Sequence, residues 1–133
     1  MKKIEHIGIA VRDIDTANET YSKLFNSKAY KEEAVASEGV TTSFFMMGES
    51  KIELLEATTQ DSAIAKFIEK RGEGIHHIAY AVDDIMSERE RLIAEGFQAI
   101  GDIKEGADNK LVCFFHPKSA NGVLVELCQD RTE

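Results

Sequence analysis

Residues 5–14 read EHIGIAVRDI, and residues 76–85 read HHIAYAVDDI. Six of the ten positions are identical, and the two stretches lie 71 positions apart. Two later anchors repeat at nearly the same spacing. Ser43-Phe44-Phe45 returns as Cys113-Phe114-Phe115 after 70 positions, and Ile52-Glu53-Leu54 returns as Val125-Glu126-Leu127 after 73. Three anchors in one order at one spacing identify two copies of a unit of about 60 residues. Solenoids need three or more repeats, so two copies predict one α+β domain made of two pseudo-twofold-related modules.

Each copy reads as the same string of elements. Residues 4–11 alternate as a strand. Asp13 or Asp15 then serves as N-cap to a helix whose apolar positions Ile14, Ala17, Tyr21, Leu24 and Phe25 fall on one face. Residues 29–55 supply three strands, broken near 37–39 and at 48–50. The second copy repeats the pattern: a strand at 77–82, a helix at about 86–95 stopped by Gly96, then strands near Phe97, at 111–115 and at 123–128. The order is βαβββ twice, with module 1 at about 1–57, a connector helix at about 61–72 and module 2 at about 74–130 of a single domain spanning 1–133.

Composition sets the boundary conditions. Among 133 residues, 24 Asp and Glu outnumber 16 Lys and Arg, for a net charge of -8. So acidic a chain lacks the electrostatic footprint of a nucleic-acid or anionic-membrane binder. No apolar run reaches the ~18 residues of a membrane span. The N-terminal residues carry neither an apolar h-region nor an Arg/Ser-rich stretch, so a cytoplasmic location is expected. Cys113 and Cys128 sit inside apolar runs and read as reduced packing residues.

Strand alternation selects the chemistry-bearing residues. His6 shares a face with Ile4, Gly8 and Ala10, and His77 with Ala79 and Ala81, while the bulky Ile7, Ile9, Val11 and Ile78, Tyr80, Val82 point the other way. Small neighbours beside each histidine leave space for a ligand. Glu53 and Glu126 lie at equivalent places inside apolar strands, where an unpartnered carboxylate is costly. Two imidazoles and two carboxylates form an N2O2 set suited to Co²⁺, Mn²⁺, Ni²⁺, Fe²⁺ or Zn²⁺. His76 is out of phase with His77 and its counterpart is Glu5, so it reads as a supporting or surface residue; His116, before Pro117, reads as a turn residue. Met46, Met47 and Phe115 are apolar surface that needs cover.

On HIGIAV, KIELLE, GIHHIAYAV, FFHPK and GVLVEL the chain resembles the vicinal-oxygen-chelate (glyoxalase) superfamily over its whole length, and within it the methylmalonyl-CoA epimerase family. The resemblance implies a cupped mixed sheet, a homodimer, and one divalent ion per chain on His6, Glu53, His77 and Glu126, with Co²⁺ first and Zn²⁺, Mn²⁺ or Ni²⁺ as alternatives. Some members carry glutamine at the Glu53 position. It also implies exchange of the α-proton of a malonyl-type acyl-CoA thioester, through an enolate stabilised by the ion, with an acid/base group on each face.

Glu126 is one such group. The family's second carboxylate falls at Ser37, and Glu38 is the substitute one residue along, turned to the opposite face unless a bulge realigns it. Gly106-Ala107-Asp108-Asn109 stands where members commonly show Gly-Ala-His-Gly. These two departures favour a glyoxalase-like lyase or isomerase as the alternative; a non-catalytic ligand-binding protein of this fold is a third reading, against which stands the presence of both histidines and both glutamates. Lys104, Lys110 and Lys118 are the candidate contacts for coenzyme A phosphates.

Overall fold

A computed structural model of the chain describes residues 1–131. It contains β1 (Lys3–Ala10), α1 (Ile14–Phe25), β2 (Lys31–Val35), β3 (Val40–Met47), β4 (Ser50–Ala57), α2 (Ala63–Arg71), β5 (Gly74–Ala81), α3 (Ile85–Ala94), β6 (Ala99–Gly106), β7 (Lys110–Phe115) and β8 (Leu124–Asp130). Backbone proximity divides the chain into two compact units, Ile7–His76 and Met1–His6 with His77 onward, so that β1 contributes to both.

In the unit Ile7–His76 the strands run β2-β3-β4-β1, with β2, β3 and β4 antiparallel. In the other unit they run β1-β5-β8-β7-β6; β5 and β8 are parallel, and β7 pairs antiparallel with both β8 and β6. The fold is α+β.

The sequence repeat returns as repeated packing. Asp13 opens α1 by accepting from the backbone N–H groups of Asp15 at 3.0 Å and Thr16 at 3.4 Å. Asp84, its repeat counterpart, opens α3 by accepting from Ser87 N–H at 3.1 Å. Both carboxylates satisfy amide donors that a helix start leaves unpaired. Val11, Ile14, Phe45 and Leu54 form one core, covered by Tyr21 and Phe25 of α1. Val82, Ile85, Phe115 and Leu127, at the matching repeat positions, form the other with Leu92 and Cys113. The even and odd faces of each strand therefore divide as their alternation requires.

Three expectations change. The strand expected near Phe97 begins at Ala99, and Phe97 instead packs beside Phe115. Phe115 is not surface awaiting cover: it is fully buried, because its face of β7 is the one that α3 covers. Residues Ala36–Glu38 form a 3-10 turn, so the period-2 argument about Ser37 and Glu38 does not apply there. Among the described residues no helix is long and apolar enough to cross a membrane.

Phe45 is fully buried, and Phe45→Ala is expected to cost about 3–5 kcal/mol of unfolding free energy. Asp13→Ala removes only the cap and is expected to cost about 1 kcal/mol. Urea denaturation followed by circular dichroism measures both.

Candidate metal centre

His6 enters its site through β1. It is buried, in phase along the strand with Gly8 and Ala10. The backbone N–H of Lys2 donates to the carbonyl of Ala81 at 2.9 Å, tying the start of β1 to the end of β5. Four residues on along β1 and four back along β5, the rings of His6 and His77 meet edge to face, centroids 5.1 Å apart. Glu126 arrives on β8, which runs parallel to β5 with Ala79 as its register partner. Ala79 is fully buried and has only a methyl group, so the carboxylate can lean toward His77.

Three donor atoms converge. His6 Nε2 is 2.9 Å from His77 Nε2 and 3.2 Å from Glu126 Oε1, and His77 Nε2 is 2.9 Å from the same oxygen. Neighbouring donors on an octahedral cation with bonds of about 2.1 Å lie about 3.0 Å apart, so the spacing is that of a coordination triangle. All three side chains are about 95% buried. Burial pushes the Glu126 carboxyl up, and the imidazoles beside it, His6 ahead of His77, outweigh that and hold the group well below the usual carboxylate range. The Cys128 thiol, also buried, donates to Glu126 Oε2 at 3.2 Å and fixes which oxygen faces the histidines. Cys113 is different: burial first of all pushes its thiol up to about 11, as suits an inert packing residue.

The expected residues fall as follows. His6, His77 and Glu126 gather as a ligand group within one unit. Glu53 belongs to the other unit, on β4 opposite Phe44; it is buried, and Lys51 Nζ, equally buried, lies 3.7 Å from its Oε2. Ser37 is exposed and Glu38 half-buried in the turn that Gly39 closes. Gly39 has φ +65°, a Cβ there would meet Thr59 Oγ1 at 2.6 Å, and its carbonyl accepts from Thr58 N–H at 2.7 Å, so the Glu38 backbone is pinned to the loop before α2. Asp108 and Asn109 both adopt left-handed backbone in the β6–β7 turn.

His116 caps the 3-10 turn Pro117–Ala120, accepting from Lys118 N–H, and His76 stacks edge-on against Phe67 at 5.0 Å. Of the candidate phosphate lysines, Lys104 lies over the Phe114 ring, Lys118 is exposed, and Lys110 is directed to Asp130 and Glu5. The sequence reading missed Glu5, whose buried carboxylate touches the His6 ring. The one available signal was its place as the position where the repeat puts a carboxylate opposite a histidine.

The arrangement has known relatives. A model of the glyoxalase/bleomycin resistance protein/dioxygenase superfamily matches residues 5–114. The chain is 40% identical over 130 residues to the ethylmalonyl-CoA/methylmalonyl-CoA epimerase of Cereibacter sphaeroides, covering 96% of this chain and 97% of that one. It is similar to a solved structure of a variant Streptomyces coelicolor methylmalonyl-CoA epimerase in complex with 2-nitronate-propionyl-CoA, with TM-score 0.95 and 32% identity over 99% of this chain and 96% of that chain. A hypothetical protein from Bacillus halodurans C-125 matches with TM-score 0.94 and 44% identity, over 98% and 96% of the two chains. With the fold, the buried donors and these likenesses in agreement, the chain belongs to the glyoxalase superfamily and, within it, to the methylmalonyl-CoA epimerases, a family of isomerases.

Proposed function

We propose that this chain interconverts the (2R) and (2S) forms of methylmalonyl-CoA by moving the α-proton, with a divalent cation held by His6, Glu53, His77 and Glu126. The observation that carries the proposal is the buried triangle of His6 Nε2, His77 Nε2 and Glu126 Oε1, with edges of 2.9–3.2 Å, in a chain of this family. The support for Glu53 as fourth ligand is its repeat equivalence to Glu126 and its burial. Two nitrogen and two oxygen donors suit Co²⁺, Zn²⁺, Mn²⁺ or Ni²⁺. When bound, such an ion supplies Lewis acidity that favours negative charge on the substrate's thioester oxygen.

The chain's own groups handle the proton. A C–H beside a thioester carbonyl is weakly acidic, and inversion requires its removal on one face and return on the other. In this reading Glu126, kept anionic beside the histidines and held in orientation by the Cys128 thiol on its outer oxygen, works on one face. Glu38 is assigned to the other face in place of the carboxylate that Ser37 lacks, on its place one residue along the chain. The substrate's anionic coenzyme draws on exposed basic residues such as Lys118. A homodimer belongs to the same reading, supported by the exposed Met46 (53%) and Met47 (45%).

Incubation with Co²⁺ and one epimer of methylmalonyl-CoA in D₂O is expected to exchange the α-proton, read by NMR. Turnover of a hemithioacetal without such exchange would select the glyoxalase-like alternative, which Ser37 and Asp108 favour, and binding without turnover the sequestering one. Glu126→Gln is expected to lower turnover at least 100-fold with an unchanged circular dichroism spectrum. Ser37→Asp is expected to raise the exchange rate, because it adds a carboxylate where this chain has a hydroxyl.

A further inference from the structure

Glu5 stands outside every role described so far, yet it is 6% exposed in a strand that is open at Lys3 and Ile4. Burying a carboxylate is expensive unless hydrogen bonds or an opposite charge compensate it. Glu5 has both. Its Oε1 lies 2.5 Å from His6 Nδ1, and its Oε2 lies 3.7 Å from Lys110 Nζ. Lys110 in turn pairs with Asp130, its register partner across β7 and β8. Asp130, Lys110 and Glu5 thus form a chain of alternating charge that ends on one imidazole ring.

We infer that Glu5 is a positioning residue for His6: by accepting the Nδ1–H it fixes the tautomer in which Nε2 is the acceptor, turned to His77 Nε2 at 2.9 Å and able to ligate a cation. The two ring nitrogens of a neutral imidazole divide the roles of donor and acceptor, so a strong acceptor at Nδ1 decides what Nε2 can do. A carboxylate behind a ligating histidine also raises its basicity and locks its ring plane.

The device is one-sided. At the matching place in the second copy stands His76, whose ring packs on Phe67. The sequence repeat therefore breaks where the structure gives His6 a carboxylate of its own. The inference rests on the proposed metal site but extends it to a residue on the opposite side of the ring, and Lys110 is assigned to balance Glu5 inside the protein.

Two readouts separate this role from simple packing. In metal-free protein, long-range ¹H–¹⁵N correlation of the His6 ring is expected to show protonation at Nδ1, and Glu5→Ala is expected to shift it toward Nε2. Titration of Co²⁺ into the same proteins by calorimetry is expected to show affinity about 10–100-fold weaker for Glu5→Ala. Glu5→Gln, which keeps a neutral acceptor in place, is expected to retain the tautomer with an intermediate affinity. A folded Glu5→Ala protein with unaltered His6 tautomer and cobalt affinity would overturn the inference. If Glu5→Ala does not fold, Glu5→Gln decides, and cobalt affinity equal to that of the unsubstituted protein overturns it. Unsubstituted protein that takes up no cobalt would overturn the metal reading itself, while the His6 tautomer still settles the role of Glu5.

Discussion

Three polar atoms held about 3 Å apart, out of reach of solvent, form the constraint around which this molecule is organised. Two imidazoles and a carboxylate in that arrangement lose their hydration, and each needs protein groups to replace it. The structure supplies them at both ends. Cys128 occupies the outer oxygen of Glu126, and Glu5 occupies the outer nitrogen of His6. The inner atoms face one another, His6 Nε2, His77 Nε2 and Glu126 Oε1 each within 3.2 Å of the other two. Small residues beside the donors, Ala79 and Gly8 among them, are the steric counterpart of the same constraint.

Stability and chemistry are divided between the two sides of the strands. On one side Phe45 and Leu54, or Phe115 and Leu127, meet a helix capped by Asp13 or Asp84. On the other lie His6 and Glu53, or His77 and Glu126, beside smaller apolar clusters around Leu55 and Val112. Because successive side chains in a strand alternate, a single duplicated segment fixes both sides together. This explains why the repeat is visible in both sets of residues.

Much of this was legible without coordinates. The duplicated His-Ile-x-x-Ala-Val segments identified the strands, and their alternation separated His6 and His77 from the core. The helix caps followed from aspartates placed just ahead of apolar periodicity, although only the backbone chose Asp13 over Asp15. The relative facing of Ser37 and Glu38 was not legible, because the strand period does not extend into a stretch that coils as a 3-10 turn, where successive side chains rotate by about a third of a circle. Phe115 was misjudged because alternation says that two faces exist but not which one a helix covers.

The sequence by itself determined the α+β character, the two modules and the residue types able to ligate, because period and repetition are properties of the chain's order. Tertiary structure alone decided that His6, His77 and Glu126 meet within 3.2 Å and that Glu5 turns back onto His6. It also decided that Lys110 pairs with Asp130 and reaches Glu5. Those outcomes depend on strand register and side-chain rotamer. Both are set by contacts between residues as far apart in the chain as His6 and Glu126, which local pattern does not encode.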